Sequence, residues 1–217
     1  MYKLIKSAIY HSRVVVFALA ATFLISGTIA SPPPKVETAS FKIECRSPEG
    51  VILGVASGVV IAPGIALTAL HVPDMCEERD GRLFWHHSPM MLSVTKRGSG
   101  VDLALLSFPI GNPIIMGVDM AERNPEVGSD LYVIAYPGFS EQLIHAKGII
   151  SGYYTEEGRF DILTDANITF GDSGGGVFNN KKELIGIVSG IIRDMNAPHY
   201  TLGVIVPISV IQDFIKQ

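Results

Sequence analysis

Short apolar segments rich in β-branched residues recur along this sequence, and they restrict its fold more than any other feature. Six such segments lie before residue 111 and six lie from residue 130 onward, with glycine or proline turns between many of them. They include FKIECR, VILGVASGVVIA and DLALLSF in the first group, and DLYVIAYPG, ELIGIVSGII and YTLGVIVP in the second. Closely spaced short strands are typical of β-barrels and β-sandwiches, so the sequence predicts an all-β fold.

The two groups of strands predict two β-rich halves, residues 41–112 and residues 113–217. Irregular residues 111–130 connect them. Before the first half, SPPPKVETAS at 31–40 is rich in proline and polar side chains, which predicts a linker. At the end of the chain, PISVIQDFIK at 207–216 places three isoleucines at helical spacing behind a proline. This pattern predicts a short C-terminal helix.

Residues 1–30 have the pattern of an export signal. Their first thirteen positions carry three basic side chains and no acidic one, and residues 14–30 carry no charge. Thr28 and Ala30 are small residues at the two positions that a signal peptidase reads. A cleaved signal peptide and a retained hydrophobic anchor helix both fit this pattern, and both predict that the rest of the chain is exported.

Charge and cysteine content narrow the class of protein further. The formal net charge is -4 and no basic cluster is present, so nucleic-acid binding is not expected. The two cysteines, Cys45 and Cys76, both lie in the part predicted to be exported. The sequence is compatible with two free buried thiols and with one disulfide, and an oxidising compartment favours the disulfide.

The stretch FGDSGGGVFN, residues 170–179, surrounds Ser173 with glycines. A serine hydroxyl attacks a carbonyl only when a base takes its proton and when N–H groups stabilise the oxyanion that forms. The amides of Gly171 and Ser173 are two residues apart in a tight turn and can point at one oxygen atom. Gly174 and Gly175 are expected to let a substrate chain approach closely. A glycine-rich turn with an incidental serine is the alternative.

Two further residues supply the base and the acid that such a serine needs. His71, in TALHV, follows an apolar strand and is predicted to lie at a strand-to-turn junction. Asp102, in VDLALL, directly precedes a buried strand, where it can orient an imidazole. Each residue alone fits an ordinary surface or turn position. Together with Ser173 they favour a Ser-His-Asp triad.

These motifs resemble those of a known family. TALHV is similar to the histidine motif, DLALL to the aspartate motif and GDSGG to the serine motif of trypsin-like, chymotrypsin-fold serine proteases. The longer LTDANITFGDSGGGVFN resembles the bacterial HtrA/Deg branch. The resemblance spans roughly residues 41–217 and implies two six-stranded antiparallel β-barrels with the active site in the cleft between them. It also implies a periplasmic or extracellular location, with inner-membrane anchoring through residues 14–30 as the alternative to signal cleavage.

The resemblance implies a role for each matching residue. Ser173 would be the nucleophile, His71 the general base and then acid, and Asp102 the residue that orients the imidazole. The backbone amides of Gly171 and Ser173 would form the oxyanion hole. Neither a cofactor nor a metal is implied, and the expected partner is a polypeptide substrate.

The resemblance also implies which residues contact the substrate. Ser189 and Gly190 would pair with the substrate backbone as an added strand. Asn167 would lie at the base of the specificity pocket, and Ile168, Phe170 and Ile191 would shape its walls. Because Asn167 carries no charge, we expect a small or medium apolar side chain before the scissile bond rather than lysine or arginine.

Departures from the family pattern limit what the resemblance implies. No activation sequence occurs near the start of the exported part, so Asp172 has no new N-terminus to pair with. The chain has no room for the PDZ domain of many HtrA relatives, and the oligomeric state stays open. His86–His87 with Met90–Met91 could bind a soft metal such as copper, but a strand end followed by a loop is favoured. The predicted function is an exported serine endopeptidase, and the alternatives are a protease-fold binding module with little turnover and an esterase.

Overall fold

The computed structural model describes residues 35–111, 114–156, 158–193 and 201–217. The predicted signal or anchor helix at residues 1–30 lies outside these ranges. The first half contains α1 (Lys35–Ala39), β1 (Ser40–Arg46), β2 (Ile52–Ala62), β3 (Ile65–Thr68), α2 (His71–Glu77), β4 (Arg82–Trp85), β5 (Ser93–Arg97) and β6 (Ala104–Ser107). The second half contains β7 (Asp130–Ala135), β8 (Ile144–Glu156), β9 (Arg159–Thr164), β10 (Gly176–Phe178), β11 (Leu184–Arg193), β12 (Thr201–Pro207) and α3 (Ile208–Lys216).

The described strands form two six-stranded sheets in which neighbouring strands pair antiparallel. The first sheet has the order β4-β1-β2-β3-β6-β5, and the second is a closed barrel with the order β10-β11-β12-β9-β8-β7. No ladder joins β4 to β5, but the Leu92 amide donates to the Leu83 carbonyl at 2.8 Å and draws the two edges together. The prediction of two six-stranded antiparallel barrel-like sheets is therefore confirmed.

Apolar side chains of alternate strand positions fill the interior of each sheet. Leu67 and Leu106 are fully buried on the neighbouring strands β3 and β6, and Ile162 and Ile205 are fully buried on β9 and β12. This is the burial that period-two apolar segments predict. The predicted C-terminal helix is also confirmed as α3, although its buried positions are Ile208, Ile211 and Phe214 rather than three isoleucines.

Strand β1 differs from the alternating pattern of its sequence, FKIECR. Six of its seven residues are buried, including Lys42 at 3% exposure and Glu44 at 2%. Water therefore reaches neither face of this strand, and both charged side chains need partners inside the protein. The partners of Lys42 lie in the loop after β7, and those of Glu44 are Arg46 of the same strand and His86, which directly follows β4.

The predicted linker at residues 31–40 is wrong for its described part. Residues Lys35–Ala39 form helix α1, and Ser40 is the first residue of β1. Val36 and Ala39 are three positions apart on one helix face and are buried, and the Ser40 hydroxyl donates to the Val36 carbonyl at 2.8 Å. Apolar packing at this helical spacing explains why the segment is ordered despite its polar composition.

Residues 108–129 connect the last strand of the first sheet to the first strand of the second. The proposed boundary between residues 112 and 113 falls outside the described part of the chain and stays a prediction. Within the described ranges, no helix has the length and apolar character needed to cross a membrane.

Candidate active site

Two hydrogen bonds connect His71 and Asp102. The His71 backbone amide donates to Asp102 Oδ1 at 3.0 Å, and His71 Nδ1 lies 2.9 Å from Asp102 Oδ2. His71 is the first residue of helix α2, so the prediction of a simple strand-to-turn junction is wrong. Pro73 fits this helix because it lies in the first turn, where its missing N–H costs nothing.

The Asp102 carboxylate has a third donor that the sequence reasoning missed. The Ser189 hydroxyl donates to Asp102 Oδ2 at 2.5 Å. Burial alone would raise the pKa of Asp102, but the hydrogen bonds from His71 and Ser189 outweigh it and hold this pKa below its ordinary value. The ionised carboxylate can then accept from Nδ1–H of His71, which leaves Nε2 free to take a proton. The sequence feature that could have indicated the contact between Ser189 and Asp102 is a serine within the apolar segment IVSG.

The turn that carries Ser173 leaves two backbone amides without protein acceptors. In the described part of the chain, the amides of Gly171 and Ser173 donate to no protein atom. The amides of their neighbours are used, since Asp172 donates to Thr169 and Gly174 donates to Val188. Gly171 has a φ of +96°, a value that side-chain-bearing residues rarely adopt. Two free amides beside one hydroxyl are the arrangement that an oxyanion hole requires.

Ser57 holds this turn from the other half of the molecule, and the sequence reasoning missed it. Its hydroxyl donates to the Gly171 carbonyl at 2.8 Å and accepts from the Tyr136 amide at 2.8 Å. Its own amide donates to the Ser173 carbonyl at 2.9 Å. No local motif marks Ser57, because its partners are more than seventy residues away.

The expectation that Gly174 and Gly175 make room for substrate is wrong. A Cβ atom on Gly174 would lie 2.1 Å from Thr68 Oγ1 and 2.2 Å from the Ser57 carbonyl oxygen. A Cβ atom on Gly175 would lie 2.6 Å from Ala135 Cβ. Both glycines are needed because other parts of the protein, rather than a substrate, occupy the space next to them.

One cavity of about 820 Å³ brings the predicted site residues together. His71 and Ser173 line it with all five predicted substrate-binding residues, which are Asn167, Phe170, Ser189, Gly190 and Ile191. Phe170 is 93% exposed at the rim, so it is free to contact a ligand. Among the described residues no hydrogen bond joins Ser173 to His71; such contacts commonly tighten only when substrate binds.

The cavity wall also contains charged residues that the sequence reasoning did not place there. Asp165 lies near Asn167, and its Oδ1 accepts from the Ile149 amide at 2.8 Å. Arg79 and Arg193 line other parts of the wall. Charged side chains therefore line the cavity together with Asn167.

Asp172 lies between the two free amides and is only 5% exposed. Its Oδ2 accepts a hydrogen bond from the Thr169 amide at 2.9 Å, and no cationic side chain pairs with it in the described residues. Burial raises the pKa of Asp172 to about 6, and the hydrogen bond from Thr169 opposes this only in part. The sequence indicated no partner for the Asp172 carboxylate. Its hydrogen-bond partner among the described residues is the backbone amide of Thr169.

The two cysteines and the two adjacent histidines also occupy defined positions in the structure. Cys45 and Cys76 form a disulfide between β1 and α2, and both line the cavity. Ligand atoms of Glu44, His86 and His87 lie within 4.8 Å of one another, which is close enough for one metal ion. The Glu44 carboxylate already accepts a hydrogen bond from Arg46 and pairs with His86 Nδ1, whereas His86 Nε2 is buried without a hydrogen-bond partner among the described residues.

Two antiparallel six-stranded sheets, with a serine turn in one and a His–Asp pair in the other, define a serine endopeptidase of the trypsin-like class. The chain belongs to the trypsin-like peptidase domain family, whose model matches residues 56–187. No curated protein matches the chain in sequence.

Solved structures share the fold at low sequence identity. The active form of the Rv3671c protease from M. tuberculosis is 18% identical, with a TM-score of 0.68 over 98% of this chain and 93% of that chain. The HtrA-type protease AlgW with a tripeptide is 20% identical, with a TM-score of 0.69 over 84% and 60% of the two chains. The serine endoprotease from Yersinia pestis is 22% identical, with a TM-score of 0.67 over 84% and 63%. These likenesses show that the chain shares the fold of these proteases.

Proposed function

We propose that this protein hydrolyses peptide bonds in exported or extracellular polypeptides through a Ser173–His71–Asp102 triad and an acyl-enzyme intermediate. The observation that carries the proposal is the pair of unoccupied amides, Gly171 and Ser173, in the same cavity as the Asp102-bound imidazole. These are the two independent requirements of serine hydrolysis, a base and an oxyanion hole.

In the proposed reaction, Ser173 Oγ bonds to the substrate carbonyl carbon while its proton moves to Nε2 of His71. The carbonyl oxygen becomes an oxyanion and accepts hydrogen bonds from the amides of Gly171 and Ser173. His71 then gives its proton to the leaving amine as the C–N bond breaks. Water attacks the resulting ester in the reverse sequence of proton transfers, which releases the acid product and restores the hydroxyl.

For substrate choice, we propose that the Asn167 pocket accepts a small or medium apolar side chain. Ile168 and Ile191 line the same cavity as Asn167 and offer apolar contact. A cleavage profile from a proteome-derived peptide library tests this directly. Enrichment of lysine or arginine before the scissile bond would instead implicate Asp165 in specificity.

We also propose that the protein acts outside the cytoplasm. The uncharged residues 14–30 behind a basic start and the Cys45–Cys76 disulfide both support this location, because disulfides persist in oxidising compartments. Fractionation of the native host tests the location, and the intact mass of the recovered protein distinguishes a cleaved signal from a retained anchor. Recovery of the full-length protein in the cytoplasm with reduced thiols would contradict the proposal.

The test of the nucleophile is Ser173→Ala, compared with Ser151→Ala, which changes an exposed serine of β8. Ser173→Ala should lower peptide hydrolysis by about 10⁴-fold or more, because the residual rate comes only from binding and the oxyanion hole. A fluorophosphonate probe should label the wild type and Ser151→Ala but not Ser173→Ala. Equal labelling of all three proteins would contradict the triad, and hydrolysis of small esters without any peptide cleavage would indicate an esterase.

A further inference from the structure

The loop at residues 136–143 holds the peptide group that presents the Gly171 amide. The Gly138 amide donates to the Phe170 carbonyl at 2.6 Å. In a trans peptide the C=O and the following N–H point in opposite directions, so this bond turns the Gly171 N–H away from the loop. A Cβ atom on Gly171 would lie only 2.3 Å from Gly138 N and 2.6 Å from the Tyr136 carbonyl oxygen. The loop and the turn are therefore in close backbone contact, and a shift of one must move the other.

The same loop is fixed at its tip by a lysine from the other half of the protein. Lys42 Nζ donates to the Ser140 carbonyl at 3.2 Å and to Glu141 Oε1 at 2.9 Å. Its side chain is 3% exposed, and both hydrogen-bond partners that the structure describes for its ammonium are in this loop. An exposed ion pair contributes little to stability, but a buried ammonium that loses its carboxylate is costly.

Glu141 also faces a histidine that is bound to a buried carboxylate. His86 Nδ1 lies 2.5 Å from Glu44 Oε1, and His86 Nε2 lies 2.6 Å from Glu141 Oε2 without hydrogen-bond alignment. Arg46 Nε donates to Glu44 Oε2 at 2.6 Å. The hydrogen bond from Lys42 lowers the pKa of Glu141, which keeps its carboxylate ionised at neutral pH. These side chains therefore form a charged network between the two halves of the protein, and the second half contributes Glu141.

We propose that Lys42 and Glu141 form an ionic latch that positions the Gly171 amide for oxyanion binding. The latch holds the tip of the 136–143 loop, the loop holds the Phe170 carbonyl through Gly138, and that carbonyl fixes the direction of the Gly171 N–H. Lys42 and Glu141 are positioning residues, because neither is among the described residues that line the cavity containing Ser173. This inference rests on the proposed function.

The experiment compares wild type with Glu141→Gln, Lys42→Met and the double variant. Asp130→Asn is the matched control, because Asp130 pairs with Lys147 at the same 2.9 Å distance but outside the loop. The probes are the best-cleaved library peptide, its boronic acid, which places an oxygen in the oxyanion hole, and its carboxamide, which does not. Thermal unfolding shows that each variant is folded.

Loss of one oxyanion donor lowers kcat by about 10²–10³-fold, so a misdirected donor should lower kcat by about 10-fold to 100-fold. Glu141→Gln should show this loss with little change in KM, and boronic acid affinity should fall by a similar factor while carboxamide affinity stays unchanged. The double variant should lose no more than either single variant, because the two residues act as a unit. Asp130→Asn should match wild type.

Wild-type rates in Glu141→Gln, or an equal loss of boronic acid and carboxamide affinity, would overturn the latch. A wild type that fluorophosphonate does not label would instead be a failure of the proposed function. In that case the amide ¹H–¹⁵N signal of Gly171 decides the latch without any activity. A shift of this signal in Glu141→Gln and Lys42→Met, but not in Asp130→Asn, would support the latch, and an unchanged signal would overturn it.

Discussion

Two aspartates lie in different parts of the candidate site, and their hydrogen-bond environments differ. We call these parts the imidazole side, around His71, and the amide side, around Gly171 and Ser173. Asp102 belongs to the imidazole side, where His71 and Ser189 donate to it and lower its pKa. Asp172 belongs to the amide side, where one backbone amide donates to it and burial raises its pKa to about 6. The difference is one of hydrogen-bond supply, since both side chains are largely shielded from water.

The comparison suggests how each side of the site is kept in place. The imidazole side depends on a charged group whose donors are the side chains of His71 and Ser189 and the backbone amide of His71. The amide side depends on backbone geometry, on glycine at positive φ and on the contacts from Ser57 and Gly138. Substitutions on the imidazole side should therefore alter proton transfer, and substitutions on the amide side should alter oxyanion binding and folding stability.

The largest effect is expected for Asp102→Asn. An amide at this position cannot hold the Nδ1-protonated tautomer of His71, so kcat should fall by about 10⁴-fold at neutral pH. The measurement is kcat for the best-cleaved peptide, with thermal unfolding to show that the fold is retained. A loss smaller than tenfold would remove the proposed difference between the two sides, because the imidazole would then need no carboxylate.

A smaller effect is expected for Gly171→Ala, which disturbs the amide side. The added Cβ atom meets Gly138 N and the Tyr136 carbonyl, so the amide should be displaced and kcat should fall by about 10²–10³-fold. Gly128→Ala is the matched control, because Gly128 has a φ of +85° and nothing within 4 Å of its Cβ position. Both variants carry the cost of a left-handed alanine, about 1–2 kcal/mol. Similar kcat values in the two variants would show that the contact with the loop is unimportant.

The sequence predicted much of the fold and of the imidazole side. Period-two apolar segments marked the strands, and the motifs around His71, Asp102 and Ser173 marked residues that the structure brings to one site. Ser57 and the Lys42–Glu141 pair were not predicted. Their partners are 79 to 116 residues distant in sequence, and only the packing of the two halves brings them together. Helix α1 was also missed, because a short helix in a proline-rich segment depends on the burial of Val36 and Ala39.

The smallest of these effects, on folding stability, is expected for Asp172→Asn and concerns pH. In the unfolded chain Asp172 ionises near its ordinary pKa of 3.8, whereas in the folded protein it keeps its proton up to about pH 6. Between these values only the unfolded state has lost the proton, so rising pH lowers the free energy of unfolding. Below 3.8 the group contributes nothing, and above 6 its full cost, at most about 3 kcal/mol, is present.

Asparagine removes this cost and can still accept from the Thr169 amide. The variant should therefore gain stability relative to wild type between pH 4 and pH 7.5, and the other titrating groups cancel in that difference. Denaturant unfolding of both proteins at the two pH values measures it. A difference that is independent of pH would show that Asp172 has an ionisation like that of an exposed aspartate. The amide side would then contain a compensated charge, as the imidazole side does, and the contrast between the two carboxylates would disappear.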